Sequence, residues 1–139
     1  MSGGNTRLIS KISHLRSLWN SAAERSVAEA AEKCAAIARE NAPVGPGGTE
    51  KHLNDSISTS SAMTGGVAEA YATVRNPHAA YVEFGTGRRG QASGAGTGYD
   101  PDWPGMDPQP YMQPAAEECR GTFSADAART LQSAAGGLK

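Results

Sequence analysis

Apolar residues recur at helical spacing from Thr6 to Asn41, and no other property of the chain constrains its fold so strongly. Leu8, Ile12, Leu15 and Trp19 follow one another at steps of four, three and four, and Ala23, Val27, Ala30, Cys34 and Ile37 continue the stripe. The opposite face carries Arg25, Glu29, Glu32, Lys33, Arg39 and Glu40, with Glu29 and Lys33 spaced for a favourable (i, i+4) pair. The spacing predicts a long N-terminal helix. Ser21-Ala22-Ala23-Glu24 matches a capping box, which predicts a break or kink near Asn20-Ser21. The helix ends at Ala42-Pro43, because a residue before proline is pushed out of the helical region. Along the stripe the side chains shrink from Leu, Ile and Trp to little but Ala. Small side chains allow close helix approach, but each yields little burial energy.

Beyond the helix, Val44 to Gly48 reads as a turn and Thr49 to Asp55 as a short helical piece. Ile57 to Ala62 and Val67 to Val74 read as two strands around Thr64-Gly65-Gly66, since a Gly-Gly step between β-prone runs is a hairpin signal. In the second strand, Ala68, Ala70, Ala72 and Val74 share the face predicted to pack on the long helix. Asn76-Pro77 starts either a turn or a helix, with Asn76 as N-cap and Gly85 as the stop. A short helix over 77–84 is favoured, although the alternation of Ala80, Val82 and Phe84 also fits a strand. Residues 88–109 form a loop of a length that is usually functional or ordered only on binding. Pro114 then opens a last helix through Cys119, Phe123 and Leu131, ended by Gly136-Gly137. The order is helix, antiparallel hairpin, long loop, helix: an α+β fold in a single domain spanning residues 1–139.

Phe and Trp number two each, and hydrophobic residues make up 38%, many of them alanine. So thin a core predicts self-association or a partner surface to complete the burial. The formal net charge of −1 argues against a free-standing nucleic-acid binder. Charge is nonetheless segregated: Arg7, Lys11 and Arg16 lie in residues 1–23 without an acid, while Asp100, Asp102, Asp107, Glu117 and Glu118 lie in 99–118 without a base. Two solvated faces account for this. Complementary surfaces in a ring, one subunit's basic helix against its neighbour's acidic loop, account for it too. Met1 to Asn5 shows no apolar secretion core and no apolar run reaches membrane-spanning length, so no membrane partner is expected.

Candidate chemistry is sparse. Cys34 and Cys119 are expected to be buried, reduced thiols, and His14, His52 and His78 lie in separate elements without companion ligands, so neither metal nor cofactor is called for. Gly85-Thr86-Gly87-Arg88-Arg89-Gly90 formally matches a dinucleotide fingerprint, which requires a strand before it and a helix after it. The following Gln91-Ala92-Ser93-Gly94-Ala95-Gly96 cannot hold that helix, and a flexible arm is the better account. Glu83, between Val82 and Phe84, invites a raised pKa but has no companion acid or nucleophile. A structural role is favoured, accepting N–H bonds from the Gly85-Thr86-Gly87 turn. Trp103, framed by Asp100, Pro101, Asp102 and Pro104, fits an interface anchor as well as it fits a residue folded back on its own domain.

Four pieces then fall in a recognisable order: Asn41-Ala42-Pro43-Val44; Gly48, Leu53, Ser56 and Ile57; Tyr81-Val82-Glu83-Phe84-Gly85-Thr86-Gly87; and Pro110, Tyr111, Met112, Pro114 and Ala115. In this order, over about residues 27–120, the chain resembles the tail-completion, or neck, proteins of long-tailed bacteriophages. It departs from them in a longer Gly48-to-Leu53 gap and an enlarged 88–109 loop. The resemblance implies a non-enzymatic virion protein, assembled in the bacterial cytoplasm, that forms a ring at the head–tail junction. Its implied partners are further copies of itself, in a hexamer that matches a sixfold tail, and the neighbouring connector or stopper, tail-terminator or tail-tube proteins. Double-stranded DNA would pass through the lumen without sequence readout. Arg88, Arg89, Asp100, Asp102 and Trp103 are the candidate interface. Tyr81, Phe84, Tyr111 and Met112 are expected to meet in one buried cluster at the ends of the loop. The alternatives are a tail-terminator or other minor tail protein and, more remotely, a small nucleotide-binding enzyme.

Overall fold

The computed structural model describes residues 3–44, 52–86 and 104–136. Helix α1 runs unbroken over Gly3–Asn41. The break expected near Asn20-Ser21 is absent, because extending an existing helix through Ser21-Ala22-Ala23 costs far less than ending it and nucleating another. The Ala42 N–H still donates to Ala38 O at 2.9 Å, and Pro43 offers no donor with which to continue.

The segment then re-enters through a 3₁₀ turn at Leu53–Ser56, inside and just past the predicted helical piece. Strands β1 (Ile57–Thr64) and β2 (Val67–Val74) pair antiparallel from Ile57–Val74 to Thr64–Val67. Gly65 and Gly66 connect them at φ 58° and 80°, the doubly left-handed turn whose twist matches a hairpin. As the alternation predicts, Ala68, Ala70, Ala72 and Val74 are half-buried and Glu69, Tyr71 and Thr73 are exposed. Arg39 Nη2 donates to Ile57 O at 2.9 Å and the Thr59 hydroxyl donates to Glu32, tying the hairpin to α1.

A short helix, α2 (Ala79–Phe84), precedes the last one, α3 (Met112–Gly136), which starts two residues before Pro114. Helix α3 lies antiparallel along α1. Lys33 Nζ donates to Thr122 Oγ1 at 2.7 Å and to Asp126 Oδ2 at 3.0 Å, and Thr130 Oγ1 donates to Glu29 Oε2 at 3.0 Å. Glu29 and Lys33 therefore both reach across to α3 and do not pair along their own helix. The bond from Lys33 is the main reason that the Asp126 carboxyl sits below its ordinary range.

The core joins Ala35, Ala38 and Ala42 of α1 to Leu53, Ile57, Ala79, Tyr111 and Ala115. Its position corrects the sequence reading by a partial turn of α1. Ala22, Ser26, Ala31, Ala35 and Ala38 are buried, whereas Val27, Cys34 and Ile37 are half-buried. Helix α1 is gripped from two sides, by the hairpin and by α3, and close approach there selects the smallest side chains. The first half of α1 has no such cover: Leu8, Ile9, Ile12, Leu15 and Trp19 are exposed. The architecture is α+β. Among the described residues no helix is long and apolar enough to cross a membrane.

Candidate assembly surface around Glu83 and Tyr111

The chain enters α2 through an Asx turn. Asn76 Oδ1 accepts the His78 N–H at 2.8 Å and Asn76 O accepts the Ala79 N–H at 3.0 Å, so Pro77 lies in the turn and the helix starts at Ala79. Gly85 stops it at φ 74°. A Cβ at Gly85 would stand 2.6 Å from Met106 O and 2.9 Å from the Pro108 ring, so glycine is needed for space as well as for conformation. Thr86 then bridges Met106, with N–H···O bonds of 2.9 and 3.1 Å, and its hydroxyl accepts the Met106 N–H at 2.9 Å. Gln109 N–H donates to Val82 O at 2.8 Å. The two ends of the 88–109 excursion are thereby clamped together.

Glu83 is the keystone of this clamp. Its Oε2 accepts the N–H groups of Tyr111 at 2.8 Å and Met112 at 3.0 Å, and its Oε1 accepts that of Gln113 at 2.8 Å. The donors belong to the first turn of α3 and not to the Gly85-Thr86-Gly87 turn that the sequence suggested. Pro114, the next residue, has no N–H to satisfy, so the donors that open α3 are accounted for by one carboxylate and one proline. Glu83 is only 8% exposed. Burial alone would push its pKa up, but the three backbone bonds together outweigh it and hold the carboxyl below the ordinary value. The raised pKa that its apolar neighbours invited is thus reversed, and the carboxylate is committed to a helix end rather than poised for proton transfer.

Tyr111 is fully buried at the centre of the core, and Met112 packs half-buried against it. Burial and then the Glu83 charge raise the Tyr111 pKa, and its hydroxyl has no hydrogen-bond partner among the described residues. Tyr81 and Phe84 do not join them: they are 55% and 74% exposed. Helix α2 has fewer than two turns, and its inward positions are taken by Ala79, Val82 and Glu83, which leaves Tyr81 and Phe84 on the outer side. The expected four-residue cluster is therefore two residues inside and two outside.

Of the other motif residues, Leu53 and Ile57 are core, Pro43 is half-buried and Pro110 is exposed. Gly87, Arg88, Arg89, Asp100, Asp102 and Trp103 lie outside the described residues. Gly85 follows a helix, not a strand, which removes the context that a dinucleotide fingerprint needs. Cys34 is half-buried and Cys119 buried, both as free thiols. Although 85 positions apart, they are neighbours across α1 and α3: burial, followed by the nearness of Cys34, pushes the Cys119 thiol up.

Between β2 and α3 the fold leaves an open trough. One part, about 770 Å³, is bordered by Ala72, Val74, Ala80, Phe84 and Tyr111; an adjoining part, about 530 Å³, is bordered by Val27, Ala30, Ala68, Cys119 and Phe123. Cys34, Ala70, Tyr71, Ala72 and Ala116 line both. Alanines make the floor, and exposed Tyr71, Phe84 and Phe123 stand along it.

The sequence profile of the family described as "Bacteriophage HK97-gp10, putative tail-component" matches residues 6–85, more than half of the 139. The chain belongs to this HK97-gp10-like family of phage tail components. The matched segment contains α1 from its fourth residue, the hairpin and α2, and stops at the glycine that ends the Glu83 helix. No curated protein and no solved structure matches the chain.

Proposed function

We propose that the chain is a structural subunit of the phage neck, forming a ring, a hexamer in register with a sixfold tail, where the head connector meets the tail. It completes the tail or connector for head–tail joining, and it works by assembly and not by catalysis. One observation carries this reading: a member of a tail-component family exposes Leu8, Ile12, Trp19, Tyr81 and Phe84 while its own core is built chiefly of alanine. Bulky apolar side chains left outside a small-residue core are surface held for partners. Those partners are further copies of the chain and the adjoining connector, stopper, tail-terminator or tail-tube proteins. DNA passes through the lumen unread, as the net charge of −1 allows. The base of the 88–109 excursion is clamped by Thr86–Met106, and Arg88, Arg89, Asp100, Asp102 and Trp103 within its sequence are the candidate contacts with the neighbouring ring.

Deleting the gene from the phage tests this. The expected result is full heads and finished tails that do not join, restored by the protein supplied in trans. Normal joined particles would overturn it. The family's description as a tail component favours a second reading, a tail terminator. The two differ in where the chain resides before joining: on free tails for the terminator, on heads or on neither for the neck ring.

A further inference from the structure

Among the described residues, two unpartnered apolar features are a ridge and a trough of the same length. The ridge is the first half of α1. Thr130 of α3 bonds Glu29, and α3 runs only six residues further, to Gly136, or about 9 Å. Because the helices are antiparallel, α3 ends near residue 23 of α1, and the stripe from Leu8 to Trp19 projects beyond it. Leu8, Ile12, Leu15 and Trp19 are each about half exposed, on one side of a helix that continues rigidly into the core. Leu8 to Trp19 spans eleven residues, about 17 Å. The α3 wall of the trough, from Met112 to Phe123, spans the same eleven residues and the same length.

Charge supports the match. The ridge is flanked by Arg7, Lys11 and Arg16, with no carboxylate before Glu24. Two ridges laid together would set these like charges against each other. The trough is edged by Glu69 on β2 and by Glu117 on α3, which accepts a bond from the trough residue Gln113 at 3.1 Å, with Arg120 as the only base among its lining residues. An alanine floor also leaves room for Leu, Ile and Trp side chains, as a helix-in-groove contact requires.

We infer that the Leu8–Trp19 ridge of one copy docks in the β2–α3 trough of a second copy. The contact is heterologous: each copy offers one ridge and one trough, so repetition closes a ring when the rotation between copies allows. Because α1 is one unbroken helix, its first half cannot fold back into its own trough. This inference rests on the self-assembly part of the proposed function and names the surface that performs it.

The test places a photo-crosslinking residue in the ridge, Leu15→p-benzoylphenylalanine, in purified chain at high concentration and in purified phage particles. The expected product is a two-chain band with its link mapped to residues 68–72 or 116–123. Ala70→Glu, in the trough floor, should abolish that band while circular dichroism retains its helical signal. A link to residues 8–19 of another copy, a link to a different protein, or no two-chain band in either sample overturns the docking. The broader reading is scored separately by whether the chain is found in the particles. A ridge-to-trough link in purified chain that is absent from particles upholds the docking and sinks the neck assignment. A link to another virion protein does the reverse.

Discussion

Replacing Glu83 by alanine removes, in one step, the acceptor for three backbone donors at the start of α3. The three do not count equally. The Tyr111 N–H belongs to a fully buried residue that water cannot reach, so orphaning it costs about 1–3 kcal/mol. Met112 is half-buried and Gln113 exposed, so their N–H groups turn to water and give up about 0.5–1 kcal/mol each. Relief from burying the carboxylate returns part of this, for a net loss of about 3 kcal/mol. At about 2–4 °C per kcal/mol for a chain of this size, the melting temperature should fall by about 10 °C. Thermal denaturation followed by far-ultraviolet circular dichroism measures it, with Glu83→Gln as the isosteric control that removes the charge. Acid tests the same bond independently. The carboxyl is held below the ordinary glutamate value of 4.5, so its stabilisation is complete above that value and is lost as pH falls through the lower folded value. The gap in melting temperature between wild type and Glu83→Gln should therefore be widest near neutrality and shrink below pH 4.5. A Glu83→Ala protein melting within about 2 °C of wild type, or a gap that widens in acid, refutes the helix-capping argument.

Gly85→Ala should destabilise by about 2–4 kcal/mol, since it combines a left-handed φ with a Cβ driven into Met106 and Pro108; urea denaturation with an unchanged midpoint would contradict it. Phe84→Ala should change stability by no more than about 0.5 kcal/mol, because the ring is exposed, and should show its effect instead as weakened head–tail joining in a complementation assay. Tyr111→Phe removes a buried hydroxyl that has no partner among the described residues and should be neutral or stabilising by up to about 1 kcal/mol, whereas Tyr111→Ala should cost about 3–5 kcal/mol; chemical denaturation of the pair separates the hydroxyl from the ring.

Two of the four motif pieces prove to be one structural device. The Tyr81-to-Gly87 block supplies the acid and the stop, and the Pro110-to-Ala115 block supplies the donors, the buried ring and the proline. They are separated in the chain by the 88–109 excursion and rejoined by Glu83 and the Thr86–Met106 bridge. Nothing in Gln109-Pro110-Tyr111 offers a short polar cap for α3. That lack was the one signal, a negative one, that its acceptor had to come from elsewhere.

Elements governed by short-range chemistry could be read from the residues directly. The period of α1, its end before Pro43, the Gly65-Gly66 turn, the alternation of β2 and the Gly85 stop each depend on residues a few positions apart. Sidedness and pairing could not be read in this way. The buried face of α1 moved to its smallest residues because two elements grip it from different directions. Glu29 and Lys33 abandoned each other because α3 brought Thr130 and Asp126 within reach. Phe84 turned outward because a six-residue helix has room for only a few inward positions, and Ala79, Val82 and Glu83 filled them. In each case the choice lay between local options of similar energy, and contacts from distant parts of the chain supplied the difference.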